Sequence, residues 1–131
     1  MIKIISTGTL SSFQDFGRFG KKKYGVSNSG CLDQFSFMLS NLLCNNDKNE
    51  ASIEIILGGF KCIFLEEITA SITGPEGFFI VNENKKFNIN SSVNLKKNDT
   101  LFIPPNKNGN IFYFSVSGGF KIKKILGSYS Y

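Results

Sequence analysis

From Ser52 to Val116 the apolar positions fall into short runs with a period near two, broken by turn residues. Ile53, Ile55 and Leu57 alternate with Ser52, Glu54 and Ile56; Gly58-Gly59 interrupts, and Phe60 to Phe64 resumes. Ile68, Ala70 and Ile72 alternate with Thr69, Ser71 and Thr73 before Gly74-Pro75. Further strands are predicted over Phe78–Val81, Phe87–Ile89, Val93–Leu95, Thr100–Ile103 and Ile111–Val116. Ile2 to Ile5 reads as a first strand, ended by Ser6-Thr7-Gly8. The exception is Leu32, Phe35, Met38, Leu39, Leu42 and Leu43, at intervals of 3, 3, 1, 3 and 1, which makes one apolar stripe on a helix of about Leu32–Cys44. Ser29 or Gly30 is the expected cap, and Asp33 lies at the first turn, where a negative charge suits the exposed amides. The expected fold class is mainly β: an antiparallel barrel or sandwich, with one helix packed on it or plugging an end.

Ser12 to Asp33 has neither period and reads as a long loop, a feature that in compact domains often carries function. Gly17, Gly20, Gly25 and Gly30 supply its conformational freedom. Asp15 and Arg18 are three apart, so a turn at Gly17 can bring them together, with guanidinium donors left over for an anionic oxygen. The plainer reading is that the pair only pins the loop. Lys21-Lys22-Lys23 is the one tight basic cluster, and a solvated run is its default reading.

Composition narrows the chemistry. The 131 residues suit one domain, and 14 Phe supply much of a core. The formal charge is +5 and there is no histidine, so Ser-His and Cys-His nucleophile pairs are excluded, along with the commonest metal ligand. Cys31, Cys44 and Cys62 show no zinc-type spacing and read as reduced thiols, which points to a cytoplasmic protein. No run approaches a transmembrane length and none reads as a secretory leader, so no membrane association is expected. Arg18 is the only arginine, and the alternating Phe112 and Phe114 read as core; no nucleic-acid partner is expected. No phosphate-cradling Gly-Lys-Ser/Thr loop occurs, so no cofactor is evident for this chain from local sequence. Glu54, amid isoleucines, reads either as a carboxylate at a barrel mouth or as a solvent-facing strand residue, and the alternation favours the latter. Gly58-Gly59 and Gly118-Gly119 suit bulges or barrel corners, or close approach of a substrate.

Several stretches, in this order, carry a resemblance. They are Phe13-Gln14-Asp15-Phe16-Gly17-Arg18-x-Gly20, Gly25-Val26-x-x-Ser29-Gly30-x-x-Asp33, Ile53-Glu54-Ile55-x-Leu57-Gly58-Gly59, Thr73-Gly74, Val116-x-Gly118-Gly119 and Leu126-Gly127-Ser128. Together they resemble the biotin-dependent carboxyltransferase family, also called allophanate hydrolase subunit 2, which includes the C subunit of 5-oxoprolinase and the KipI antagonist. The resemblance runs almost end to end and corresponds to the N-terminal part of the family's proteins. It implies a cyclophilin-like β-barrel and a subunit of an ATP-dependent 5-oxoprolinase or of a carboxyltransferase acting on small amide or lactam substrates. The alternative is a non-catalytic module that docks on a KipI-like partner, the counterpart of the B subunit of 5-oxoprolinase. The resemblance also implies the A and B subunits of 5-oxoprolinase as partners, and ATP or carboxybiotin as cofactors of the whole enzyme. Arg18 and Asp15 become the candidate catalytic residues; Gln14, Gly17, Gly25, Ser29, Gly30, Asp33, Glu54, Gly58, Gly59 and Ser128 become candidates for binding substrate or shaping the loop. Tyr129-Ser130-Tyr131 departs from the family's usual Arg-Ser-Thr, which removes a cation from that segment.

Overall fold

The computed structural model describes residues 1–14 and 31–120. Its strands are β1 (Ile2–Thr7), β2 (Leu10–Gln14), β3 (Ser52–Ile56), β4 (Phe60–Phe64), β5 (Ile68–Thr73), β6 (Phe78–Val81), β7 (Lys85–Asn88), β8 (Ser91–Leu95), β9 (Thr100–Ile103) and β10 (Ile111–Val116), with one helix, α1 (Gln34–Leu43), between β2 and β3. The mainly β class is as expected. Two antiparallel five-stranded sheets form, in the orders β1-β4-β9-β6-β7 and β2-β3-β10-β5-β8. Each edge of the first sheet runs directly into an edge of the second: β1 turns into β2 at Gly8-Thr9, and β7 into β8 at Ile89-Asn90. These two corners strap the two sheets together, within the barrel-or-sandwich class that alternation predicted.

The inward positions make one apolar core. Ile53 and Ile55 of β3, Phe112, Phe114 and Val116 of β10, and Ala70 and Ile72 of β5 face Phe60, Cys62, Phe64, Phe79, Leu101 and Ile103 of the other sheet. Phe114 is its hub, with edge-on contacts to Phe60, Phe64 and Phe120 at 5.7, 6.1 and 5.4 Å between ring centres. Burial pushes the Cys62 thiol far above its ordinary range, so it packs as a small hydrophobe.

The other face of the second sheet is also covered. Ser52, Glu54, Ser71, Thr73, Tyr113 and Ser115 point that way and all are buried, because α1 lies across them. Here the structure departs from the sequence reading. The helix does not turn its apolar stripe to the sheet; it buries Ser36, Phe37, Ser40 and Asn41 instead. Leu32, Phe35 and Leu42 are 68%, 71% and 58% exposed. The reason is hydrogen bonding. The sheet face carries hydroxyls that must be satisfied once buried. Thr73 donates to the Ser36 carbonyl at 2.6 Å, Ser71 to the Ser40 carbonyl at 2.6 Å, and the Ser40 and Ser115 hydroxyls are 2.8 Å apart. A leucine face would leave these groups unpaired.

Two further expectations are corrected. The stretch read as loop from Ser12 begins inside β2, which pairs with β3 in the register Ser12↔Glu54 and Gln14↔Ser52. Leu10-Ser11-Ser12 lacks the alternation that would have announced it. The helix cap is Asp33 rather than Ser29 or Gly30: the Asp33 carboxylate accepts from the Ser36 amide at 3.1 Å and the Ser36 hydroxyl at 2.8 Å.

Candidate functional site

Glu54 is the centre of the only candidate cluster that the described residues bring together. Strand alternation puts it on the α1 side of β3, with Ser52, and not toward solvent. It is 4% exposed, which overturns the solvent-facing reading. That reading failed because it assumed an open face where a helix lies. Across the sheet, Ser12, Glu54, Tyr113 and Thr73 form one row over β2, β3, β10 and β5. Tyr113 donates its hydroxyl to Glu54 Oε2 at 2.5 Å, and the Leu32 amide donates to the same oxygen at 2.9 Å. The Tyr113 oxygen in turn accepts from the Asp33 amide at 2.9 Å. Burial, and then the bond to Glu54, push the Tyr113 phenol far above its ordinary range, so it stays a neutral donor. The edge of Phe37 meets the Tyr113 ring, with 6.0 Å between centres.

Gln14 belongs to the same face, two residues from Ser12. It is buried; its Nε2 donates to Ser12 Oγ at 2.8 Å, while Oε1 is buried with no hydrogen-bond partner. The site thus offers a buried carboxylate held by two neutral donors, a neutral phenol and an unused amide acceptor. It is suited to fixing the start of α1 and the backbone entering it, and Oε1 of Gln14 is free to accept from a donor. The ion pairs between described residues, Met1 amino group to Glu66 and Lys61 to Glu83, lie on the other sheet and its flanking turns.

The structure separates the remaining candidates. Gly58 and Gly59 lie past the far end of β3, at φ +71° and +80°. A Cβ on Gly58 would run into the Pro104 carbonyl, and one on Gly8 into the Gly58 carbonyl. These glycines make a corner where three turns touch backbone to backbone. Beside them opens a cleft of about 320 Å³ lined by Glu76, Phe78, Pro105, Asn106 and Phe112, which excludes Glu54 and Tyr113. Asp15, Gly17, Arg18, Gly25, Ser29, Gly30 and Ser128 lie outside the described residues. Among the described residues no group of three or more acidic, cysteine or histidine side chains could hold a metal, and no helix is long and apolar enough to cross a membrane. Sequence reasoning missed Tyr113. Its signal was available: a tyrosine between two core phenylalanines points to the opposite face, and when buried there its hydroxyl needs a partner.

The family model for the carboxyltransferase domain, subdomain A and B, matches residues 24–131. The chain belongs to that family. The chain is 34% identical to the urea amidolyase of Saccharomyces cerevisiae over 130 residues, covering 98% of this chain and 7% of that protein. It is 30% identical to the C subunit of 5-oxoprolinase from Escherichia coli over 130 residues, covering 99% of this chain and 42% of that one. In the crystal structure of Kluyveromyces lactis urea amidolyase a region superposes with a TM-score of 0.78 at 29% identity, over 90% of this chain and 7% of that one. The chain therefore spans less than half the length of the 5-oxoprolinase C subunits it matches and under a tenth of the urea amidolyases.

Proposed function

We propose that this chain is part of a multi-subunit enzyme of the 5-oxoprolinase or carboxyltransferase type, acting on a small amide or lactam. The observation that carries the reading is the meeting of two family-like motifs at one buried carboxylate. The stretch ending in Asp33 and the stretch Ile53–Gly59 are far apart in sequence, yet the Leu32 amide bonds to Glu54 and the Asp33 amide to Tyr113. Sequence similarity to urea amidolyases and 5-oxoprolinase C subunits supports it from a second side. In this proposal Arg18 holds or polarises an anionic oxygen of the substrate, and Asp15 orients Arg18. Glu54, Tyr113 and Asp33 are positioning residues that set where the Gly25–Asp33 stretch ends. Gln14 and Ser29 bind substrate or shape the loop; Gly17, Gly25 and Gly30 give it its turns, and Ser128 stands in the later family segment. ATP or carboxybiotin acts in the whole enzyme and is held by subunits other than the described part of this chain. The whole assembly works in the cytoplasm.

The test is 5-oxoproline turnover by this chain mixed with the A and B subunits of 5-oxoprolinase, alongside urea carboxylation as the alternative reaction. Turnover should need this chain and fall about a hundredfold or more with Arg18→Ala, roughly the effect of losing one oxyanion contact. Undiminished turnover by Arg18→Ala overturns the assignment of Arg18.

A second reading has one observation in its favour: the described partners of Glu54 and Tyr113 are spent on holding the backbone that enters α1. In that reading it is a non-catalytic module bound to a KipI-like partner, the counterpart of the 5-oxoprolinase B subunit. Stable capture of that partner with no turnover in any assembly selects it.

A further inference from the structure

The outward face of α1 is unlike the rest of the surface. Phe35, Leu39 and Leu42 follow at intervals of 4 and 3, so they form one ridge along the helix, and Leu32 stands just ahead of its cap. Three of the four are more than half exposed, and Leu39 and its neighbour Met38 are partly so. From Gln34 to Asn46 there is no charged residue, in a chain where 19% of residues are charged. Asp33, just before, is used up as the cap. A wet helix face of this protein would carry lysines or glutamates, as its turns do.

We propose that this ridge is the seat of the second subdomain of the carboxyltransferase domain. Two observations select that occupant. The ridge lacks charge altogether, which marks the core of a permanent interface; surfaces that meet a partner transiently keep a more polar make-up. The 5-oxoprolinase C subunits carry more than half of their length beyond what this chain matches, in a family described as subdomains A and B. The relatives therefore carry a further stretch of domain size in the same chain. The inward polar face of α1 is explained by the same arrangement: the helix is sandwiched, with hydroxyls toward its own sheet and leucines toward the neighbour. The inference rests on family membership and not on the proposed chemistry, so loss of turnover does not bear on it.

The test compares solvent access at this ridge in this chain and in a relative that carries the further length. Phe35→Cys and Leu42→Cys are made in this chain, and the aligned positions are changed to cysteine in the full-length C subunit of E. coli 5-oxoprolinase. Maleimide labelling is followed over time by peptide mass spectrometry, which separates these sites from native cysteines, and sedimentation gives the oligomeric state of each sample. Labelling should be fast in this chain as a monomer, and at least tenfold slower in the monomeric E. coli protein. Equal rates in the two proteins overturn the proposal. So does slow labelling of this chain: as a dimer it assigns the ridge to a second copy, and as a monomer to another part of the same chain. Protection of the E. coli protein that vanishes on dilution to monomer overturns it too, because the cover is then another protomer.

Discussion

The Tyr113 hydroxyl lies 2.5 Å from Glu54 Oε2, and the two side chains are direct cross-strand partners on β10 and β3. The strand pairing fixes their separation, so the bond costs little ordering entropy. The same two groups collect the amides of Leu32 and Asp33. One cross-strand pair thereby anchors the chain at the point where it enters α1.

Tyr113→Phe keeps the ring in its pocket and removes only the oxygen. The Asp33 amide then loses its acceptor and Glu54 one of its two donors. Leaving buried polar groups short of partners costs about 1–3 kcal/mol, and the chain should be destabilised by that amount in urea titrations. Glu54→Leu should cost more, since both the Tyr113 hydroxyl and the Leu32 amide are stranded. A loss below about 0.5 kcal/mol for Tyr113→Phe would mean that the bond network is not formed in solution.

Alkaline pH should act through the same phenol. Its folded-state pKa is raised above the ordinary value of 10.0, first by burial and then by Glu54. A raised pKa means that the stabilisation is whole below about pH 10 and drains away as pH climbs past it, because the unfolded tyrosine ionises first. Between pH 9 and pH 11 the melting temperature of the wild type should therefore fall more steeply than that of Tyr113→Phe. Parallel curves would show that Tyr113 titrates normally in the fold.

The strands were legible because their alternation is a local signal of one buried face, and Ile53, Ile55, Phe112 and Phe114 all obey it. The turns rest on Asn and Gly, which occupy the left-handed conformation at Asn45, Asn82, Asn90, Asn98 and Gly109. What was not legible is what covers the second face. Glu54 and Ser52 look like solvent-side residues when β3 is read alone, and Leu32 to Leu43 looks like a core helix when read alone. Each misreading hides the other: polar strand positions face the polar side of the helix, and the apolar side is left outward. Pattern gives the faces of an element but not which face meets which neighbour, and here buried hydroxyl bonds decided it. Asp33 as a helix-start charge was legible, because capping is local.

Asp33→Ala should cost about 0.5–2 kcal/mol, the usual effect of losing an N-cap. Asp33→Asn and Asp33→Ser should recover most of it, since each can still accept from the Ser36 amide. Far-ultraviolet circular dichroism with chemical denaturation measures both. Failure of the conservative variants to recover stability would assign the effect to charge and not to capping.

The corner at Gly58 can be separated into its two causes. Gly58→Ala meets a positive φ of +71° and a collision with the Pro104 carbonyl; Gly109→Ala meets a similar φ of +73° with open space around it. The conformational strain alone is about 1 kcal/mol. Gly109→Ala should lose about that much, and Gly58→Ala about 2–4 kcal/mol, because backbone must move. Equal losses would show that the Gly58 corner yields easily.

The helix seat makes the sharpest demand at Ser40. It is fully buried, its hydroxyl donates to the Phe37 carbonyl at 2.7 Å, and it meets the Ser115 hydroxyl at 2.8 Å. Ser40→Ala leaves the helix where it is but strips Ser115 of a partner, at about 1 kcal/mol. Ser40→Leu adds volume between helix and sheet and forces them apart, which also stretches the bonds from Ser71 to the Ser40 carbonyl and from Thr73 to the Ser36 carbonyl. Overpacking alone costs about 1–3 kcal/mol, and losing two buried bonds adds a similar amount. The apolar replacement should therefore be several times more damaging than alanine in equilibrium unfolding, although leucine is the better helix former. If Ser40→Leu were instead neutral or stabilising, α1 would have to be able to roll its leucine ridge onto the sheet, and the inverted packing would not be the ground state.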